Sequence, residues 1–111
     1  MRRLLIVGVV LSAFAAGSAL EARKQNYTTY GVGTQSCGKW LEARRDTDRN
    51  LQYTFGSWVR GWLSAAGYYG TVLKKTDTAA IDAWVDNFCS ANPLLDMDDA
   101  ARGLVTALTV K

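Results

Sequence analysis

The stretch Phe55-Gly56-Ser57-Trp58-Val59-Arg60-Gly61-Trp62-Leu63-Ser64-Ala65-Ala66 decides the fold. Its residues Phe55, Trp58, Val59, Trp62, Leu63 and Ala66 recur at i, i+3, i+4, i+7, i+8 and i+11, an apolar stripe with the period of an α-helix. Arg60 is the only charge between Leu51 and Leu73. Glycine costs a helix about 1 kcal/mol relative to alanine, so Gly56 and Gly61 are expected where another helix comes close. Gly67 and Gly70, flanking Tyr68-Tyr69, mark the end of the helix. Opposite the stripe lie Tyr53, Ser57, Arg60, Ser64 and Tyr68. Tyr and Arg combine contact area with hydrogen bonds, so this is the candidate partner-binding face, although an ordinary polar face has the same composition.

Working outward, the same period recurs three times. Downstream, Asp77 or Thr78 can cap a helix carrying Ile81, Trp84, Val85, Phe88 and Cys89 on one face. Pro93 stops it, pushing Asn92 out of the helical region. Asp96 then caps a last helix, with Asp98 and Asp99 in its first turn, where negative charge suits the helix dipole. Met97, Ala101, Leu104, Val105 and Leu108 form its apolar face. Upstream, Ser36 can cap a helix bearing Cys37, Trp40 and Leu41, and Asn50 can cap the long one. Residues 23–35 form a polar N-terminal arm in which only Tyr27 to Val32 offers a local strand pairing. The expected fold is all-α: four short helices in a single small domain over residues 36–111. Trp40, Trp58, Trp62 and Trp84 all sit on apolar stripes and are expected in its core.

Residues 1–22 are set apart. Met1-Arg2-Arg3 is basic, Leu4 to Ala16 is an uncharged apolar run, and small residues follow before Glu21. This is the order of a secretory signal peptide, with cleavage after Ala19 or Ala22. The run is shorter than the ~20 residues that span a bilayer. Export to the periplasm or beyond is therefore expected, with no membrane attachment after cleavage. An oxidising compartment turns the only two cysteines, Cys37 and Cys89, into a disulfide. A domain this small buries only about 60–65% of its unfolded surface, and the chain-entropy value of such a staple is about 4 kcal/mol.

Composition excludes several classes. The 111 residues contain no histidine, which removes Ser-His-Asp and Cys-His nucleophile pairs, histidine bases and the usual zinc sites. No catalytic residue, metal or cofactor is expected. The net charge of +3 is a weak bias, and Arg44, Arg45 and Arg49 are interrupted by Asp46 and Asp48, so no basic stripe addresses nucleic acid. Asp82 and Asp86, four apart on one helix, are expected to repel mildly. Neither they nor Asp96, Asp98 and Asp99 have the setting of a glycosidase pair or the spacing and turn glycine of a calcium loop. Asn26-Tyr27-Thr28 matches a glycosylation acceptor, of no consequence in a bacterial host.

Ser36-Cys37-Gly38-Lys39-Trp40-Leu41, a Trp-rich second helix and Phe88-Cys89-Ser90-Ala91-Asn92-Pro93 together resemble the HdeA/HdeB acid-stress chaperones. The resemblance covers roughly residues 36–108 and implies a small periplasmic all-α protein. Gly61-Trp62-Leu63-Ser64-Ala65 and the closing Ala-Leu-Val run are similar, more weakly, to the Rap/Tai immunity proteins of type VI secretion. Both resemblances imply a non-enzymatic protein with a protein partner. A chaperone, which could be a homodimer, would loosen and bind unfolded clients once carboxylates protonate below about pH 4, with Asp82, Asp86 and the Asp96/Asp98/Asp99 group as candidate sensors. An immunity or inhibitor protein would instead hold one toxin or enzyme at neutral pH. A structural envelope protein is the third class. The staple is directly testable: the purified exported protein should weigh about 2 Da less than its reduced form, and two free thiols would dismiss it.

Overall fold

The structure is a computed structural model and describes residues 27–111. The expected signal peptide and residues 23–26 of the arm lie outside the described residues. Four helices make up the fold: α1 Cys37–Arg45, α2 Arg49–Tyr68, α3 Thr78–Ala91 and α4 Met97–Leu108. Among the described residues there is no β-strand, only two isolated bridges, Ser36 with Asp96 and Leu73 with Thr109. Among the described residues, no helix is long and apolar enough to cross a membrane.

Each helix starts on a side-chain cap. Ser36, Asp77 and Asp96 accept from the backbone N–H of Lys39, Ala80 and Asp99. The cap of α2 is Asp48, bonded to Asn50 N–H, and not the expected Asn50. At the other end of α2, Gly70 adopts φ +106°, a left-handed conformation natural to glycine. Gly70 N–H bonds to Gly67 and Thr71 N–H to Ala66, closing the helix as a Schellman motif. Helix α3 ends at Ala91, ahead of Pro93.

The core is built from all four helices. Cys37, Trp40 and Ala43 of α1 meet Phe55, Val59 and Leu63 of α2, Ile81, Val85 and Cys89 of α3, and Met97, Ala100 and Leu104 of α4. Cys37 and Cys89 form the disulfide, with Cα atoms 4.8 Å apart. Beside it, Cys37 N–H donates to Leu95 C=O at 2.7 Å, Gly38 N–H to Pro93 at 3.1 Å and Met97 N–H to Gln35 at 2.9 Å. The start of α1 is thus fastened to the end of α3 by one covalent bond and to the α3–α4 turn by three backbone bonds. On the far side, Lys74 N–H bonds to Leu108 C=O and Val110 N–H to Val72 C=O, tying the α2–α3 connection to the C-terminal end of α4.

Three expectations change. Of the four tryptophans only Trp40 is fully buried, at 1% exposure, while Trp58, Trp62 and Trp84 are half-buried. Trp84 stacks on Phe88 at 5.3 Å against Gly103, where an added Cβ would lie 3.0 Å from the indole. Trp58 and Trp62 are covered instead by the N-terminal segment, which forms no strand pairing but a 3-10 turn, Gly31–Thr34, lying on α2 and α4. The expected role of Gly56 and Gly61 also fails. A Cβ at Gly61 would meet nothing within 4 Å, and one at Gly56 would meet its own helix's Arg60 guanidinium at 2.9 Å.

The close approach falls on Gly33, which is buried under Trp58. A Cβ there would lie 2.1 Å from Trp58 Cζ2. Gly33→Ala should therefore destabilise by about 1–3 kcal/mol, the usual cost of overpacking. Gly61→Ala, on an open helix surface, should stabilise by up to about 1 kcal/mol. Urea denaturation of both variants checks the contrast, and equal effects would mean that the segment does not lie on Trp58.

Candidate functional site

The face chosen from sequence runs along the outside of α2. Tyr53 and Tyr68 are 70% and 83% exposed, and the Tyr68 ring meets Tyr69 edge-on at 5.0 Å. Ser64 Oγ donates to the Arg60 carbonyl at 2.9 Å, and Arg60 Nη2 donates to Ser57 Oγ at 3.4 Å. The two hydroxyls are thus engaged within the helix. Arg60 leans over Gly56 and is also drawn electrostatically to Asp82 of α3. The residues that point outward with unshared area are the two tyrosines.

Two aspartate centres join segments distant in the chain. The first lies between α1 and α3. Asp86 Oδ1 accepts from Trp40 Nε1 at 2.8 Å and from Arg44 Nε at 3.0 Å, while Oδ2 accepts from Arg44 Nη2 at 3.1 Å. Arg44 Nη1 also stands 3.8 Å from Asp82, and its guanidinium lies 5.8 Å from the Trp40 ring centroid. The repulsion expected between Asp82 and Asp86 is therefore offset by a planar cation placed to serve both. Asp82 Oδ1 is buried without a hydrogen-bond partner among the described residues. Burial pushes its carboxyl above the ordinary 3.8, against the pull of Arg44 and Arg60. The hydrogen bond to Asp86 holds Arg44 more firmly in its charged form.

The second centre is the start of α4. Asp96 and Asp99 form a reciprocal capping box. Asp98, only 8% exposed, accepts from Tyr27 Oη at 2.8 Å, Thr29 Oγ1 at 3.2 Å and Arg102 Nε at 3.2 Å. Arg102 Nη2 bonds to Asp99 as well. Burial, with the bond to Asp98, pushes the Tyr27 phenol up to about 12, and burial raises Asp96. One oxygen from each of Asp96, Asp98 and Asp99 lies within 4.8 Å of the others. Arg102 meets the charge of Asp98 and Asp99, and the oxygens of Asp96 and Asp99 serve the cap.

These contacts make the N-terminal segment a strap. Tyr27 is fastened to Asp98 while its ring lies 5.6 Å from that of Trp62, which in turn lies 5.3 Å from Trp58. Trp58 Nε1 donates to the Tyr30 carbonyl at 2.8 Å. The result is an aromatic shelf on α2, covered from Tyr27 to Gly33. The strap leaves almost no local trace in the sequence: only Arg102, at i+4 from Asp98, carries such a signal. No family model, no curated protein and no solved structure matches this chain. Function has to be read from the geometry.

The raised carboxyl of Asp82 fixes the sign of one pH effect. A charged Asp82 costs the folded state stability above its folded pKa, and that cost disappears as pH falls below the unfolded value of 3.8. Asp82→Asn should therefore raise unfolding free energy at pH 7, with a gain that vanishes below 3.8. Denaturation midpoints over a pH series check this. A loss at pH 7, or a gain that persists in acid, would mean that Arg44 and Arg60 outweigh burial.

Proposed function

We propose that this chain is an exported, non-enzymatic binding protein acting as an acid-stress chaperone, in keeping with its resemblance to the HdeA/HdeB proteins. The supporting observation is the strap fastened by Asp98 over Trp58 and Trp62. At neutral pH the carboxylate accepts three hydrogen bonds and balances Arg102. Once protonated it carries no charge for Arg102 and offers fewer acceptor sites to Tyr27 and Thr29. Acid also leaves unopposed the 11 Lys and Arg that remain of the chain's 13 once Arg2 and Arg3 are cleaved away, so self-repulsion favours loosening. Release of the strap exposes two large indoles at one place, a surface suited to unfolded clients.

The nominated sensors do not all act alike. Protonating Asp82 relieves a burial cost and so favours the folded state. In this reading acid loosening works through Asp98, through Asp86 as the tie between α1 and α3, and through net charge.

A second reading, an immunity or inhibitor protein, draws support from the exposed Tyr53 and Tyr68. Light scattering of an aggregation-prone client separates the two. The chaperone should suppress scattering at about pH 2–3, well below ordinary carboxyl values, and not at pH 7. Asp98→Asn, and separately Thr29→Val, should move the onset to higher pH with a matching red shift of tryptophan emission. Unchanged scattering at every pH, with one stoichiometric partner captured at pH 7, would replace the chaperone with the immunity class.

A further inference from the structure

A groove of about 340 Å³ opens between α2, α3, the α2–α3 connection and the end of α4. Its apolar lining comes from all four: Leu63, Leu73, Ile81 and Leu108. Three cations, Arg60, Lys74 and Lys75, also line it, and no acidic residue does. Nearby acids are already engaged. Asp77 caps α3 through Ala80 N–H, and Asp82 faces Arg44 and Arg60. Lys74 and Lys75 are exposed and form no ion pair among the described residues. With Arg60 partly drawn to Asp82, the two lysines supply most of the groove's unbalanced charge.

From this arrangement we infer that the groove is a docking site for an acidic segment of a protein partner, one apolar side chain seated on the leucine and isoleucine residues and flanking carboxylates meeting Lys74 and Lys75. Charge complementarity fixes the sign of the occupant, because positive charge surrounds an apolar floor with no anion to answer it. Size and continuity fix its kind. The volume is at the low end of the roughly 300–1,000 Å³ typical of ligand pockets, enough for a side chain and short of a long lipid tail. Arg60 and Ser64 belong both to the groove and to the outer face of α2, and Tyr68 stands one turn beyond Ser64 on the same line. A partner in the groove would thus reach an exposed tyrosine at its rim, the composition typical of a protein interface. The groove lies apart from the strap and needs ionised partner carboxylates, so it is a neutral-pH site and does not depend on the acid response proposed above.

The experiment is a titration of the 15N-labelled, disulfide-bonded protein at pH 7 with acetyl-EELEE-amide, followed by amide chemical shifts. Shifts should cluster at residues 60–64, 71–78 and 108, with a dissociation constant in the range of about 0.1–5 mM for so short a peptide. The double variant Lys74→Gln/Lys75→Gln, changed only at exposed positions, should weaken binding by about tenfold. Equal binding of acetyl-EESEE-amide would overturn the inference, because the apolar floor would then play no part. Shifts centred on Lys39 and Arg45 would reduce it to diffuse charge attraction. Tighter binding of decanoate in the groove would replace the acidic segment with an aliphatic carboxylate, and no shifts up to about 5 mM would remove the site.

Discussion

The bond between Cys37 and Cys89 is the constraint around which this molecule is arranged. A domain of this size buries too little surface to hold four helices together by packing alone with much to spare. The disulfide removes much of the freedom of the unfolded chain between α1 and α3. The three backbone bonds beside it, from Cys37, Gly38 and Met97, turn a covalent tie into a fixed junction of α1 with the α3–α4 turn. Trp40, the largest fully buried side chain, lies nearly one turn beyond Cys37, and the fully buried Val85 one turn before Cys89.

Around that apolar junction, the side-chain to side-chain hydrogen bonds between distant segments converge on two carboxylates. Asp86 receives Trp40 and Arg44 from α1, and Asp98 receives Tyr27 and Thr29 from the strap. A carboxylate suits this task because it accepts several hydrogen bonds at once, and charge strengthens each of them. Each is also paired with an arginine, so neither is left as an isolated half-buried charge. The cost is dependence on ionisation. A chain without histidine has no side chain that ordinarily titrates between pH 5 and 8.

Helical order was legible in sequence because periodicity is a local property. The stripes of α2, α3 and α4, the Ser36 and Asp96 caps and the Pro93 stop all depend on residues a few positions apart. Contacts across the chain were not legible in the same way. A stripe containing Trp58 and Trp62 says which face turns inward, but not that a glycine-bearing strap supplies the cover. Asp82 and Asp86 read as repelling neighbours because the arginine that reconciles them is Arg44, 42 residues before Asp86. Gly33 looked like part of a polar arm, although its missing side chain is what lets the strap lie on Trp58. Tyr53 and Tyr68 of the candidate face lie exposed on the outside of α2, while the lysines of the proposed groove stand in the connection beyond.

The two surfaces proposed for this chain work in opposite states of charge. The groove beside Lys74 and Lys75 attracts a partner only while that partner's carboxylates are ionised, a condition lost below about pH 4. The aromatic shelf is covered by the strap that Asp98 holds, and under the chaperone proposal acid would uncover it. Protonation would thus remove one contact as it exposes the other, and a partner held at neutral pH would be released as the client surface opens. Because the strap and the groove occupy different sides of α2, neither transition needs the disulfide junction to move. The covalent frame can stay closed while the surfaces exchange roles.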